Sequence, residues 1–340
     1  MEIKETLSRL CLPDGVSGAE ENACKAAQEL LREFIPDARI DPFGCVHGFL
    51  GERGNGKKTL LLEAHIDEIG FIVTYLEDGG FLRVASVGGT DRRLYAAQTV
   101  TVHSDPPIKG IIATLPPHVN PDGKTAMKTE EIAIDTGFSK EALEKRVSLG
   151  DRVTVDGDFT ELSESRVSSK AVDDRAGAAA ILYALSLLKG KPLRYNLAVL
   201  FASEEEVGSR GAKIGAYTAE ADIALATDVS FAHTPDAKKE KCGEMGKGVM
   251  IGVAPGLSGE VTGALRRLAK EKEIPFRLEI MSGETGTDAD EISASRGGVK
   301  TGLLSIPIRY MHTPVETVDP KDIAAVGELM AAFAEAGEVE

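Results

Sequence analysis

Five short stretches hold residues that could do chemistry, and each borders an apolar run. "EAHID" supplies His65 and Asp67, "SKAVDDRAG" supplies Asp173 and Asp174, and "LFASEEEVG" supplies Glu204, Glu205 and Glu206. "ALATDVS" ends an apolar run with Asp228, and "SIPIRYMHTP" carries His312. Every one of these is a carboxylate or an imidazole. Each has an ordinary reading when taken alone. A His-x-Asp pair can be a satisfied hydrogen-bonded pair, "DDR" can cap a helix N-terminus, and a glutamate run can face water. Three adjacent glutamates at the end of a buried strand nevertheless repel one another, and each raises its neighbour's pKa unless a cation stands in front of them.

Taken together, two imidazoles and three to five carboxylates are the donor set that zinc, cobalt or manganese prefers. Two ions that share one bridging carboxylate need a further carboxylate and an imidazole each. The chain meets that count with a glutamate left over for proton transfer, provided that the strand ends converge.

Convergence depends on the elements. Residues 17–35 read as an amphipathic helix, with Ser17 and Glu20 at capping-box spacing. Residues 59–76 read as two strands around a polar knot. From about 77 to 160 the pattern changes to short strands broken by Gly, Pro and Asp turns, as in a small barrel or sandwich. After residue 165 strands and helices alternate again, which implies a layered α/β domain with a mainly parallel central sheet. The expected organisation is one α/β catalytic unit, residues 1–69 and 164–340, interrupted by an all-β, barrel-like insertion at 70–163. In such sheets function collects at the carboxyl ends of the strands, where the residues above fall.

Composition narrows the classes. Lys and Arg total 39 against 54 Asp and Glu, a net charge of −15, which argues against a nucleic-acid partner. No apolar stretch approaches the roughly 20 residues of a membrane span, and "MEIKETLSRL" lacks a signal-peptide core; a cytoplasmic protein is expected. Cys11, Cys24, Cys45 and Cys242 are scattered without CxxC spacing and read as inert buried thiols.

The motifs "EAHIDEIGF", "KAVDDRAG", "EEEVGSRGA", "TDVS" and "IPIRYMHTPVE", in that order, resemble those of the tetrahedral (TET-like) metallo-aminopeptidases. That group includes glutamyl aminopeptidases and relatives labelled endoglucanases. "VGGTDRRLYAAQTV" and "LPPHV" in the insertion resemble its dimerisation domain. The resemblance implies two divalent ions per subunit, zinc or cobalt ahead of manganese. Asp173 would bridge them through a cis peptide to Asp174. His65 and Asp228 would complete one site, and Glu206 and His312 the other. Asp67 would orient His65, and Glu205 would act as general base toward a hydroxide held between the ions, with Glu204 pointing elsewhere. The implied substrates are short peptides, and the implied assembly is a homo-oligomer, a dimer or a tetrahedral dodecamer. Cys45, His233 and Glu291 depart from the family's common pattern at positions that could line the substrate pocket.

Other readings remain at this level. A metal-dependent carboxypeptidase or N-acyl amino acid hydrolase would use the same ions on a related fold. A paired-acid glycosidase would give His65 and His312 no task. A non-catalytic scaffold would have no reason to keep Glu205.

Overall fold

A computed structural model describes residues 1–114, 118, 128–163, 165–235 and 237–339; the rest of "LPPHV" around His118 lies outside them. Helices α1 (Ile3–Cys11) and α2 (Glu21–Arg32) and strands β1 (Arg39–Ile40) and β2 (Val46–Leu50) lead into β3 (Thr59–His65). Strands β4 (Gly70–Leu76), β5 (Phe81–Val87), β6 (Thr99–Val102), β7 (Ile108–Ala113) and β8 (Ala133–Asp135), helix α3 (Lys140–Leu143) and β9 (Arg152–Val155) follow. Next come β10 (Thr160–Glu161), β11 (Val167–Ser169), α4 (Val172–Leu188), β12 (Asn196–Ala202), α5 (Arg210–Ala219) and β13 (Ile223–Phe231). The chain ends with β14 (Val249–Val253), α6 (Gly259–Glu271), β15 (Phe276–Ile280), α7 (Asp288–Ser293), β16 (Lys300–Arg309), β17 (Glu316–Val318) and α8 (Pro320–Ala336).

Runs such as "NLAVLFA" form strands buried along their whole length, because helices cover both faces of the sheet they join. Among the described residues that sheet has 11 strands, and at its centre β12, β3, β13 and β16 lie side by side and parallel. The pairs beyond them run antiparallel, from β1–β2–β12 on one side to β16–β17–β11–β10 on the other, while β14 pairs antiparallel with β16 and parallel with β15. One face packs on α4 and α8, whose alanines and Gly327 allow close approach: a Cβ at Gly327 would lie 2.7 Å from Ala180 O. The other face packs on α5 and α7 through Ala212, Ala216, Ala289 and Ile292. Parallel order brings the carboxyl ends of four strands to one edge. That edge carries the site.

Strands β4–β9 form a separate antiparallel barrel, in the order β4-β5-β8-β7-β6-β9, closed by the pairing of β9 with β4. Phe71, Val84, Val100, Ile112, Ile134 and Val153 fill it, and Phe71 meets Tyr95 edge-on at 4.8 Å. Closure removes the exposed strand edges that short strands would otherwise present. The barrel strands run from Gly70 to Val155, and the next strand, β10, already belongs to the large sheet.

One local reading changes. Helix α2 begins at Glu21 without a side-chain cap, so Ser17 and Glu20 form no capping box. The Ser17 hydroxyl instead donates to Asp67 Oδ2 at 2.6 Å, and Glu20 accepts from the Gly18 N–H. A tertiary acceptor in the site outcompetes the local cap. The four cysteines are free and buried, as their spacing suggests, and burial pushes the Cys11 thiol up to about 12.

A buried ion network ties the neck where the chain enters the barrel to the start of α4. Glu68 precedes β4 and Lys170 follows β11; Lys170 Nζ reaches both carboxylate oxygens of Glu68, at 2.7 and 2.8 Å. Arg175, fully buried, donates to the carbonyls of Leu10, Cys11 and Ile66 and lies 3.4 Å from Glu68 Oε1. Removing one partner from such a network strands a buried charge and typically costs about 3–5 kcal/mol. Glu68→Ala is therefore expected to lower unfolding stability by about that amount in a urea titration. A loss below about 1 kcal/mol would mean that the neck is held by packing alone.

Candidate metal centre

Each candidate side chain leaves a defined point of the fold. His65 is the last residue of β3, and Asp67 lies two residues beyond it. Glu204, Glu205 and Glu206 form the turn between β12 and α5, Asp228 sits in β13, and His312 lies between β16 and β17. Asp173 opens α4 through a cis peptide to Asp174. Three non-glycine residues around the site adopt left-handed backbone: Ala171 (φ 54°), Glu204 (φ 57°) and His312 (φ 61°). Such conformations carry a cost and persist where surrounding contacts over-determine them.

The strand ends do converge. His65 Nε2 lies 3.0 Å from Asp173 Oδ1 and 4.0 Å from Asp228 Oδ1. His312 Nε2 lies 3.3 Å from Asp173 Oδ2 and 3.3 Å from Glu206 Oε1. Ligand atoms of His65, Asp173 and Asp228 fall within 4.8 Å of one another, and so do those of Asp173, Glu206 and His312. The two oxygens of Asp173 thus face two different imidazole–carboxylate pairs. His65 and Asp173 are buried, and His312 is half-buried at the mouth.

Asp67 does more than face His65 Nδ1, which lies 3.5 Å from its Oδ1. It is fully buried and accepts the backbone N–H of Glu205 at 3.0 Å and of Glu206 at 3.2 Å, besides the Ser17 hydroxyl. One carboxylate therefore fixes both an imidazole and the glutamate turn. Glu204 turns away to pair with Arg210 at 3.0 Å. The turn is pressed close by Gly211, where a Cβ would lie 2.3 Å from Ser203 O. Asp174 lies outside both triads; its Oδ1 accepts the Gly177 N–H, and a Cβ at Gly177 would come within 2.2 Å of its Oδ2. The glycine of "DDRAG" makes that room.

The centre holds more acid than base. Burial opposes charge on the imidazoles, yet Asp173 and Glu206 push His312 up to about 11, and Asp173 and Asp67 push His65 well above its ordinary value. Burial pushes Glu205 up to about 8, against the pull of His65 and with the help of Asp288 and Glu206. Asp228 is likewise raised by burial and by the nearby Asp173. Bound cations reverse this logic by favouring every carboxylate's charged form.

Several supporting residues carried no signal in the chain. Glu316 Oε1 accepts the His312 N–H at 2.7 Å, and its Oε2 accepts the Asp173 N–H at 3.0 Å, so one side chain brackets both triads. It belongs to "HTPVE", where only the neighbouring histidine stands out. Glu63 and Asp288 are buried beside each other, and burial raises both. A cleft of about 530 Å³ opens over Asp173, Glu205, Glu206, Asp228 and His312, and extends along Ser230, Glu279 and Met281. Its described lining contains no Lys or Arg, and none of Cys45, His233 and Glu291. Glu291 instead pairs with Lys213 at 2.9 Å, while Cys45 packs beside Ser203. From the barrel, Gly88 and Gly89 lean over the mouth: Cβ atoms there would lie 3.3 Å from Glu206 Cβ and 3.0 Å from His312 Nδ1.

The chain is similar to known proteins along nearly its whole length. The signature described as M42 glutamyl aminopeptidase matches residues 44–329. The lysyl aminopeptidase of Pyrococcus furiosus is 30% identical over 328 residues, spanning 94% of this chain and 93% of that one. Aminopeptidase APDkam598 of the archaeon Desulfurococcus kamchatkensis has the same fold at a TM-score of 0.92 and 34% identity, over 98% of this chain and 94% of that one. The TET1 peptidase of Pyrococcus horikoshii, which can assemble into a tetrahedron or a large octahedral shell, matches at a TM-score of 0.85 and 30% identity, over 98% and 99% of the two chains. The chain belongs to the M42 glutamyl aminopeptidase family, and it is a peptide hydrolase of α/β fold with an antiparallel barrel.

Proposed function

We propose that this chain is a two-metal aminopeptidase that removes N-terminal residues from short peptides. The observation that carries the reading is the placement of Asp173 between two imidazole–carboxylate pairs. The donor set fits a pair of divalent cations: each group combines one imidazole with two carboxylates, one of them shared, inside a centre with a surplus of acid. His65, Asp228 and Asp173 would hold one ion, and Glu206, His312 and Asp173 the other, with zinc or cobalt preferred over manganese. When bound, such ions polarise a peptide carbonyl and make water more acidic.

The protein's own part is positioning and proton transfer. Glu205 acts as general base, taking a proton from the attacking water and then passing it to the leaving amine. Its place is fixed through its backbone N–H, which Asp67 accepts. Asp67 acts through His65 and the glutamate turn and touches no substrate. Glu316 holds the Asp173 and His312 backbones at a fixed separation. The cleft has the volume of an ordinary small-molecule or peptide-end site.

Residues 70–163 are proposed as the assembly unit of a homo-oligomer, built from dimers and extending to a dodecamer. The barrel's exposed apolar side chains, Tyr75, Ile111 and Leu149 at 53–64% exposure, support that role.

Three outcomes test these assignments. Glu205→Gln is expected to lower kcat by about 100- to 10,000-fold while metal content stays at the wild-type level; near-normal turnover would remove Glu205 from proton transfer. His312→Ala should halve the bound metal measured by elemental analysis, and an undiminished content would take His312 out of the ligand set. Multi-angle light scattering of the purified protein should give a mass that is a multiple of the dimer; a monomer across the working concentration range would refute assembly through the barrel.

A further inference from the structure

Among the described residues, one charged side chain besides the candidate metal ligands and Glu205 lines the cleft. Glu279 projects from β15, which runs parallel to β14 and places it opposite Gly252. The Ser230 hydroxyl donates to Glu279 Oε1 in a close hydrogen bond. Ser230 lies two residues beyond Asp228 on β13, so the two side chains share a face of that strand, about 7 Å apart along it. Glu279 Oε2 is buried and has no hydrogen-bond partner. A carboxylate oxygen held in that state is costly unless a donor reaches it. No Lys or Arg is among the cleft's described lining residues to neutralise it.

The cleft's described lining combines the hydroxyl groups of Thr285, Thr287 and Ser305 with apolar side chains. Phe231, 61% exposed, lines the cleft together with Met281 and Leu303. An aliphatic stem would pass along those side chains and deliver its charged end to Glu279, the division of labour that a lysine side chain is built for. The net charge of −15 adds a general attraction for cationic peptides.

We infer that Glu279, anchored by Ser230, is the specificity residue of the cleft and selects peptides whose N-terminal residue carries a basic side chain. The inference rests on the aminopeptidase reading above and deepens it. It runs against an acidic preference, which would bring a substrate carboxylate up to Glu279 with no cation between them.

The test compares lysine with norleucine, which keeps the stem and lacks the ammonium group. On the metal-reconstituted full chain, kcat/KM for lysyl 4-nitroanilide should exceed that for norleucyl 4-nitroanilide by about tenfold or more. In Glu279→Gln, which preserves size, that ratio should fall close to one. Calorimetric affinities for lysinamide and norleucinamide should follow the same pattern, independently of turnover. A wild-type ratio near one, a preference for glutamyl 4-nitroanilide, or a ratio that survives Glu279→Gln would each overturn the assignment. An equal loss on both substrates would place Glu279 at the α-amine instead, which also overturns it. If no anilide is cleaved, the aminopeptidase reading falls, and the amide affinities alone decide the role of Glu279. The wild-type ratio decides it if the variant does not fold.

Discussion

The site exists because too many carboxylates are buried together for the protein's own cations to balance. Asp67, Asp173, Asp174 and Asp228 are all buried, and Glu205 and Glu206 stand at the mouth. Facing them are two imidazoles, both pushed toward the charged form by those carboxylates. In a low-dielectric interior such repulsion would spread the groups apart. The surrounding structure opposes this with fixed donors. Ser17 and two backbone amides converge on Asp67, Glu316 brackets Asp173 and His312, and the Gly177 amide holds Asp174. On the reading proposed above, bound cations would complete the same balance from the other side.

That surplus also separates the alternatives. A paired-acid glycosidase needs two carboxyl groups in different environments, and leaves the histidines idle. Here each imidazole lies within 3.3 Å of Asp173, and the two approach different oxygens of it. A scaffold without catalysis would have no need to hold the Glu205 backbone on the same buried carboxylate that faces His65. The geometry sets two imidazole–carboxylate pairs around one shared carboxylate.

Much of this could be read from the chain because the site residues interrupt apolar strands. His65 closes "TLLLEAH" and Asp228 sits within "IALATDVSF", where a polar side chain needs a reason. Family motifs then assigned roles that spacing alone left open. Other features were hidden for physical reasons. Ser17 carries a perfect local signal for a helix cap, but Asp67, 50 residues away, is the acceptor it reaches. Glu279 sits in "FRLEI", where a strand's alternation makes a charged residue unremarkable until a cleft is seen beside it. Glu68 and Lys170 are separated by 102 residues, so nothing local marks them as partners. Long-range pairing of this kind is set by sheet topology, which periodicity does not encode.

The Glu68–Lys170 pair also has a mechanical meaning. The chain enters the barrel at Gly70, three residues after Asp67, and Lys170, which follows β11 of the large sheet, lies three residues before Asp173. The ion pair therefore ties the entry to the barrel to the segment that leads into Asp173, so a displacement of one is passed to the other.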